Sequence, residues 1–177
     1  MHPGVQAHML SQFPKRQLAV ADTMDLWIQT APKELAILLK QVDGLVLNYD
    51  EAELFTSKRN PVTAAKHILE MGPRFVIVKK GEHGSILSGP GGLFIAPAFP
   101  LKKVVDPTGA GDSFVGGLMG YLAGSKGPIE TNLRRAMVYG SVTASFCCEG
   151  FGLNRTTRTT RADIEKRVKE LLRMAMV

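Results

Sequence analysis

The 177-residue sequence has only two cysteines, Cys147 and Cys148, and they are neighbours. Adjacent cysteines cannot form an ordinary structural bridge, and the pair lacks metal-ligand spacing, so both read as buried free thiols. Long hydrophobic runs are also lacking: charge or glycine interrupts every apolar stretch well short of the ~20 residues that a membrane helix needs. The start, Met1-His2-Pro3-Gly4-Val5, has none of the basic-then-apolar layout of a secretory leader, which points to the cytoplasm and away from a membrane. Although the formal charge is +6, the basic residues are scattered as Lys79-Lys80, Lys102-Lys103 and Arg134-Arg135, with no long tract and no interleaved aromatics. That distribution argues against a nucleic-acid face and for a solvated surface that partly serves a polyanionic nucleotide. Several motifs are missing as well. A Walker A string, GxxxxGK[ST], occurs nowhere; the third glycine of a GxGxxG counted from Gly109 would be Phe114; and the Glu82-His83 pair is not part of an HExxH.

What is present is the composition of an ordinary soluble domain, long enough for one core. Residues 1–16 show no sustained period and read as a tail or a residual first element. From there to residue 177 the chain reads as a single domain without repeats or linkers. Gln17 to Ala21 is a short apolar strand closed by Asp22-Thr23-Met24. Pro32 to Val42 has helical spacing at Leu35, Leu38, Leu39 and Val42. Leu45 to Asn48 is a second strand, a helix starts at Pro61, and Phe75 to Val78 is a third strand. Ser85 to Ser88 and Leu93 to Ala96 look like a hairpin around Gly89-Pro90-Gly91-Gly92. The remainder is mostly helical, ending in a helix capped by Thr160 with an apolar stripe through Ile164, Val168, Leu171, Leu172 and Ala175. This alternation predicts an α/β fold: a mainly parallel sheet flanked by helices, with an antiparallel hairpin interrupting the order.

The most informative segment is Asp106-Pro107-Thr108-Gly109-Ala110-Gly111-Asp112, running directly into Ser113-Phe114-Val115-Gly116-Gly117-Leu118. Gly109 and Gly111 let successive backbone N–H groups converge, and the apolar run reads as a helix whose positive end faces the same point, an anion cradle. Asp112 in its first turn would place a carboxylate where it could accept a proton from a hydroxyl attacking a phosphoryl group. The same letters also fit a plain strand-to-helix turn with Asp112 as a helix cap. A second constellation, Asn48-Tyr49-Asp50-Glu51, follows a strand and offers an amide oxygen and a carboxylate, the hard ligands, direct or through water, that suit Mg²⁺. It equally fits a helix start with an acidic first turn. A third, Lys79-Lys80-Gly81-Glu82-His83-Gly84, turns out of a strand with glycines three apart, a spacing that lets the backbone approach a ligand closely; here the lysines and His83 read as solvated loop residues.

In this order the segments resemble the signatures of the ribokinase-like (PfkB) carbohydrate kinases from about Gln17 onward. The resemblance implies that Gly109, Ala110 and Gly111 form the hole for the transferred phosphate and that Asp112 is the catalytic base. It implies further that Asn48 and Glu51 help to hold metal and phosphates, and that Gly81, and with it Gly84, contacts ATP. Thr108 and Asp106 match positions that in some such enzymes help to hold an activating monovalent cation, which makes K⁺ a candidate beside ATP and Mg²⁺. The helix from Val138 to Phe151, whose small residues permit close packing, would line the adenine side. By the same resemblance the N-terminal strands and β lid that carry most acceptor contacts are lacking. The expected activity is ATP-dependent phosphoryl transfer to a hydroxyl of a sugar or related small molecule. The alternatives are a nucleoside kinase, a nucleotide-binding fragment without activity of its own, and a structural or regulatory domain. The exposed flank of a sheet without its first strands would favour self-association.

Overall fold

The computed structural model describes residues 1–175; the end of the expected domain, residues 176 and 177, lies outside the described residues. The chain divides into two compact units, one formed by residues 1–80 with 86–94 and the other by residues 81–85 with 95–177.

The first unit is built on parallel strands. β1 (Val20–Asp22), β2 (Gly44–Asn48) and β3 (Phe75–Lys79) pair in parallel, with Val20 opposite Gly44 and Gly44 opposite Phe75. β4 (Ser85–Gly89) and β5 (Gly92–Ala96) complete the order β1-β2-β3-β4-β5. Residues 80–84 are too few for a parallel crossover, and only Pro90-Gly91 joins β4 to β5, so this side of the sheet runs antiparallel and the sheet is mixed. β2 and β3 are buried on both faces, as their unbroken apolar runs require.

Helices α1 (Pro3–Ser11), α2 (Asp25–Thr30), α3 (Pro32–Leu39), α4 (Tyr49–Thr56) and α5 (Pro61–Leu69) accompany these strands. The core combines Leu35, Leu38 and Leu39 of α3 with Leu45, Leu47, Val76 and Val78 of the sheet and Ile68 of α5. The stretch read as a tail or residual first element contains a helix, with Ala7 and Leu10 of α1 against this core. β1 is shorter than expected and shifted towards Asp22. The Ala19 N–H leaves the ladder to donate to Asp43 Oδ2 at 2.8 Å. α2 was not foreseen: six residues that run into Pro32 are too short to show a helical period.

The second unit is mainly helical: α6 (Ala110–Gly124), α7 (Ile129–Cys148) and α8 (Arg161–Ala175). α6 and α7 meet at glycines. A Cβ on Gly117 would lie 2.7 Å from Thr143 Cβ, and one on Gly140 would lie 2.8 Å from the Phe114 carbonyl oxygen, so the small residues are what allow the approach. Val138, Val142 and Phe146 of α7 pack with Val168 and Leu171 of α8. Thr160 caps α8 as expected. Its Oγ accepts from the Asp163 amide at 3.2 Å, while Asp163 accepts in return from the Thr160 amide at 2.9 Å. Of the expected stripe, Val168 and Leu171 are buried, whereas Leu172 and Ala175 are exposed.

Candidate active site

In the second unit the segment before α6 folds tightly. Asp106 Oδ1 accepts the Thr108 amide at 2.9 Å, and the Ala110 amide donates to Pro107 O at 3.0 Å. The chain then enters the helix through Gly109 at φ 80°, a left-handed conformation that disfavours any residue with a Cβ. The Ser113 amide donates back to Gly109 O at 2.9 Å, but the amides of Gly111 and Asp112 have no backbone acceptor among the described residues. These are the unsatisfied donors of a helix start, at the positive end of a 15-residue helix. The Ala110 amide, expected to join them, is already engaged by Pro107.

Asp112 is exposed in the first turn of α6, and its carboxylate makes no hydrogen bond or ion pair among the described residues. The capping reading of the same letters is therefore not what the side chain does: the cap position is Gly109, with no side-chain cap bond. A free carboxylate beside free amides can bind an anion on one side and accept a proton on the other.

The cradle rests on the end of α7. The amides of Val105 and Asp106 donate to Cys148 O at 2.8 and 3.4 Å, and Cys147 Sγ donates to Thr108 O at 3.3 Å. Cys147 is buried, and burial pushes the partly covered Cys148 thiol up from its ordinary value. Both thiols are free. Hydrogen bonds from the Thr108 amide and hydroxyl and from the Gly152 backbone hold the Asp106 carboxyl below its ordinary value. Gly81 has open space where a Cβ would stand. Gly84 differs: a Cβ there would run into the backbone of residues 96–98, so close packing alone already requires glycine.

In the first unit Asn48 and Glu51 sit together at the start of α4 as a reciprocal capping box. The Glu51 amide donates to Asn48 Oδ1 at 2.8 Å, and the Asn48 amide donates to Glu51 Oε2 at 2.7 Å. This satisfies two helix-start donors, and such caps stabilise by about 1 kcal/mol. Glu51 is only 8% exposed. Burial pushes its carboxyl up, and nearby Asp22 and Asp25 add to this, against the Asn48 amide and the Lys79 ammonium. The pair thus uses one oxygen from each side chain on the backbone and leaves Glu51 Oε1 over, a donor set suited to touching a hydrated Mg²⁺ rather than to chelating one. Among the described residues no group of three or more His, Cys, Asp or Glu could hold a metal unaided.

Two residues at this sheet edge carry more than the sequence suggested. Lys79 has a side chain only 16% exposed, with Nζ 3.5 Å from Asp22 Oδ2, so it is not the solvated loop lysine expected. Asp22, which closes β1, is its partner across β2. His83 and Glu82 are exposed in a short turn, as expected.

A mixed sheet with parallel strands β1 to β3 in one unit and, in the other, a glycine-entered helix start with free amides and an unpartnered carboxylate are parts suited to an α/β protein that handles phosphate. Residues 15–160 match the pfkB family carbohydrate kinase domain, and the chain belongs to that family. It is 38% identical over 128 residues to a nucleoside kinase of Methanothermobacter thermautotrophicus, covering 72% of this chain and 37% of that protein. It is 34% identical over 131 residues to a bifunctional ribokinase/ribose-5-phosphate isomerase A of Fructilactobacillus sanfranciscensis, covering 71% of this chain and 23% of that protein. Among solved structures, the Methanocaldococcus jannaschii nucleoside kinase superposes with a TM-score of 0.76 at 23% identity, covering 95% of this chain and 53% of the other. A double mutant of the Vibrio cholerae fructokinase, solved with fructose, ADP and potassium ion, gives 0.78 at 18% identity, covering 92% and 54%. The fold is therefore ribokinase-like, and the chain spans about half the length of these structures and less than half of these curated relatives.

Proposed function

We propose that the chain carries the nucleotide and phosphoryl-transfer part of an ATP-dependent kinase acting on a hydroxyl of a sugar or related small molecule. The observation that carries this is the start of α6: an exposed, unpartnered Asp112 carboxylate next to the free amides of Gly111 and Asp112, behind a left-handed Gly109. Asp112 takes the proton of the attacking hydroxyl as the oxygen–phosphorus bond forms and the bond to ADP breaks. The amides and the helix end stabilise the charge on the phosphoryl oxygens, with Ala110 shaping the turn. Asn48 and Glu51 would hold Mg²⁺ through its waters, and the bound ion would neutralise charge on the phosphates. Gly81 borders the nucleotide, and Gly84 keeps that loop closed. Asp106 and Thr108 form a loop suited to K⁺. Both compact units belong, in this reading, to one ribokinase-like domain over residues 17–177.

Relatives with nucleoside-kinase names favour a second acceptor class, a nucleoside in place of a sugar. A nucleotide-binding module without turnover remains the third outcome. One experiment separates all three. Mg-ATP is titrated calorimetrically into the protein in KCl and in NaCl, and ADP release is measured with ribose, fructose, cytidine and adenosine. Binding with release on one acceptor class assigns the kinase, and binding without release assigns the module. Absence of binding rejects the reading, and equal behaviour in the two salts rejects the K⁺ role. Asp112→Asn is expected to abolish release with ATP affinity retained; unchanged turnover would remove Asp112 from the mechanism.

A further inference from the structure

Glu149 ends α7 at the helix's negative pole, the wrong end for a carboxylate. It is held there by two arginines. Arg167 of α8 donates from Nη2 to Glu149 Oε1 at 2.8 Å, and Arg155 donates from Nε to Oε2 at 3.2 Å. Arg167 also donates from Nη1 to Ser145 Oγ at 2.9 Å and stacks over Phe146 at 3.6 Å and Phe99 at 4.7 Å from the ring centroids. Arg155 lies 5.0 Å from the Phe146 centroid. The Arg167 side chain is 14% exposed. This network is too well formed for a casual surface pair, where ion pairs contribute little.

Its position gives it a use. The residues just before Glu149 are the ones that hold the cradle, through Cys148 O to the Val105 and Asp106 amides and through Cys147 Sγ to Thr108 O. A rotation of the α7 end would therefore carry residues 105–109 with it. We propose that Glu149, clamped between Arg155 and Arg167, is a positioning residue that fixes the α7 terminus and so sets the geometry of the phosphate cradle at Gly109 to Asp112. This rests on the phosphoryl-transfer reading for its consequence, but not for its mechanics.

The test uses Glu149→Gln, Arg167→Lys and, as a milder break of one arm, Arg155→Gln in the full chain, read by amide hydrogen exchange and by titration with Mg-ATP. Expected is faster exchange at residues 105–112 with protection in β2 and β3 unchanged. ATP affinity should be about tenfold weaker in Glu149→Gln, with Arg167→Lys intermediate. Exchange that rises uniformly along the chain, or that does not change at residues 105–112, overturns the proposal. If Glu149→Gln does not fold, Arg155→Gln decides by the same readouts. If the unaltered protein binds no Mg-ATP, the kinase reading fails, and the exchange arm still decides the clamp by itself.

Discussion

At the scale of single residues, the glycines of α6 and its entry do opposite things. Gly109 is needed for its backbone angle. Its φ of 80° means that Gly109→Ala should lower stability by about 1–2 kcal/mol and weaken ATP binding, seen in denaturant melts and titrations. Gly120 lies on an exposed face of the same helix with open space where a Cβ would stand. Gly120→Ala should therefore raise stability by about 0.5–1 kcal/mol, because alanine is the better helix former and nothing obstructs it. If both substitutions destabilise alike, the left-handed entry is not what selects glycine at 109. The glycine letters were legible in the sequence, but not which served conformation, which served packing and which served neither. That distinction depends on neighbours such as Thr143 for Gly117 and the chain at 96–98 for Gly84.

At the scale of elements, the capping box of α4 shows one motif serving two readings. The Asn-x-x-Glu spacing that suggested metal contacts is also the spacing by which a helix start satisfies its own amides, and the side chains do the latter. Because burial raises the Glu51 carboxyl above its ordinary 4.5, the folded chain keeps that proton to a higher pH than the unfolded chain does. From about pH 4.5 up to the raised folded value the native state binds more protons, so this contribution to stability falls as pH rises. Glu51→Gln keeps an acceptor for the Asn48 amide and should flatten that slope in urea melts taken across this window; an unchanged slope would remove Glu51 as its source. Strands β2 and β3 and helix α5 were readable because apolar runs and Pro61 mark them. The Glu149 clamp was not, since its partner on α8 is 18 residues away and only folding brings them together. Asp22 and Lys79, 57 residues apart, escaped notice for the same reason.

At the scale of the molecule, the chain spans about half the length of the structures it resembles. β1 is an edge strand, and beside it lies a groove of about 420 Å³ lined by Met9, Leu10 and Phe13 together with Val20, Leu38 and Val42. α1 covers part of this flank, with Gln6 Nε2 donating to Asp22 O at 3.4 Å, yet it leaves Met9 and Phe13 exposed. Concentration-dependent association is expected in sedimentation at micromolar protein, reduced by Phe13→Ser; a monodisperse monomer would show that α1 is cover enough. Elsewhere, the sulfur of Cys147 lies beneath the loop that bends into Gly109, in a protein with just one other thiol. Any reagent that labels it must wait for that loop to lift, so the rate of labelling is a clock for the breathing of the Gly109 turn, and a nucleotide that binds there as proposed should slow it.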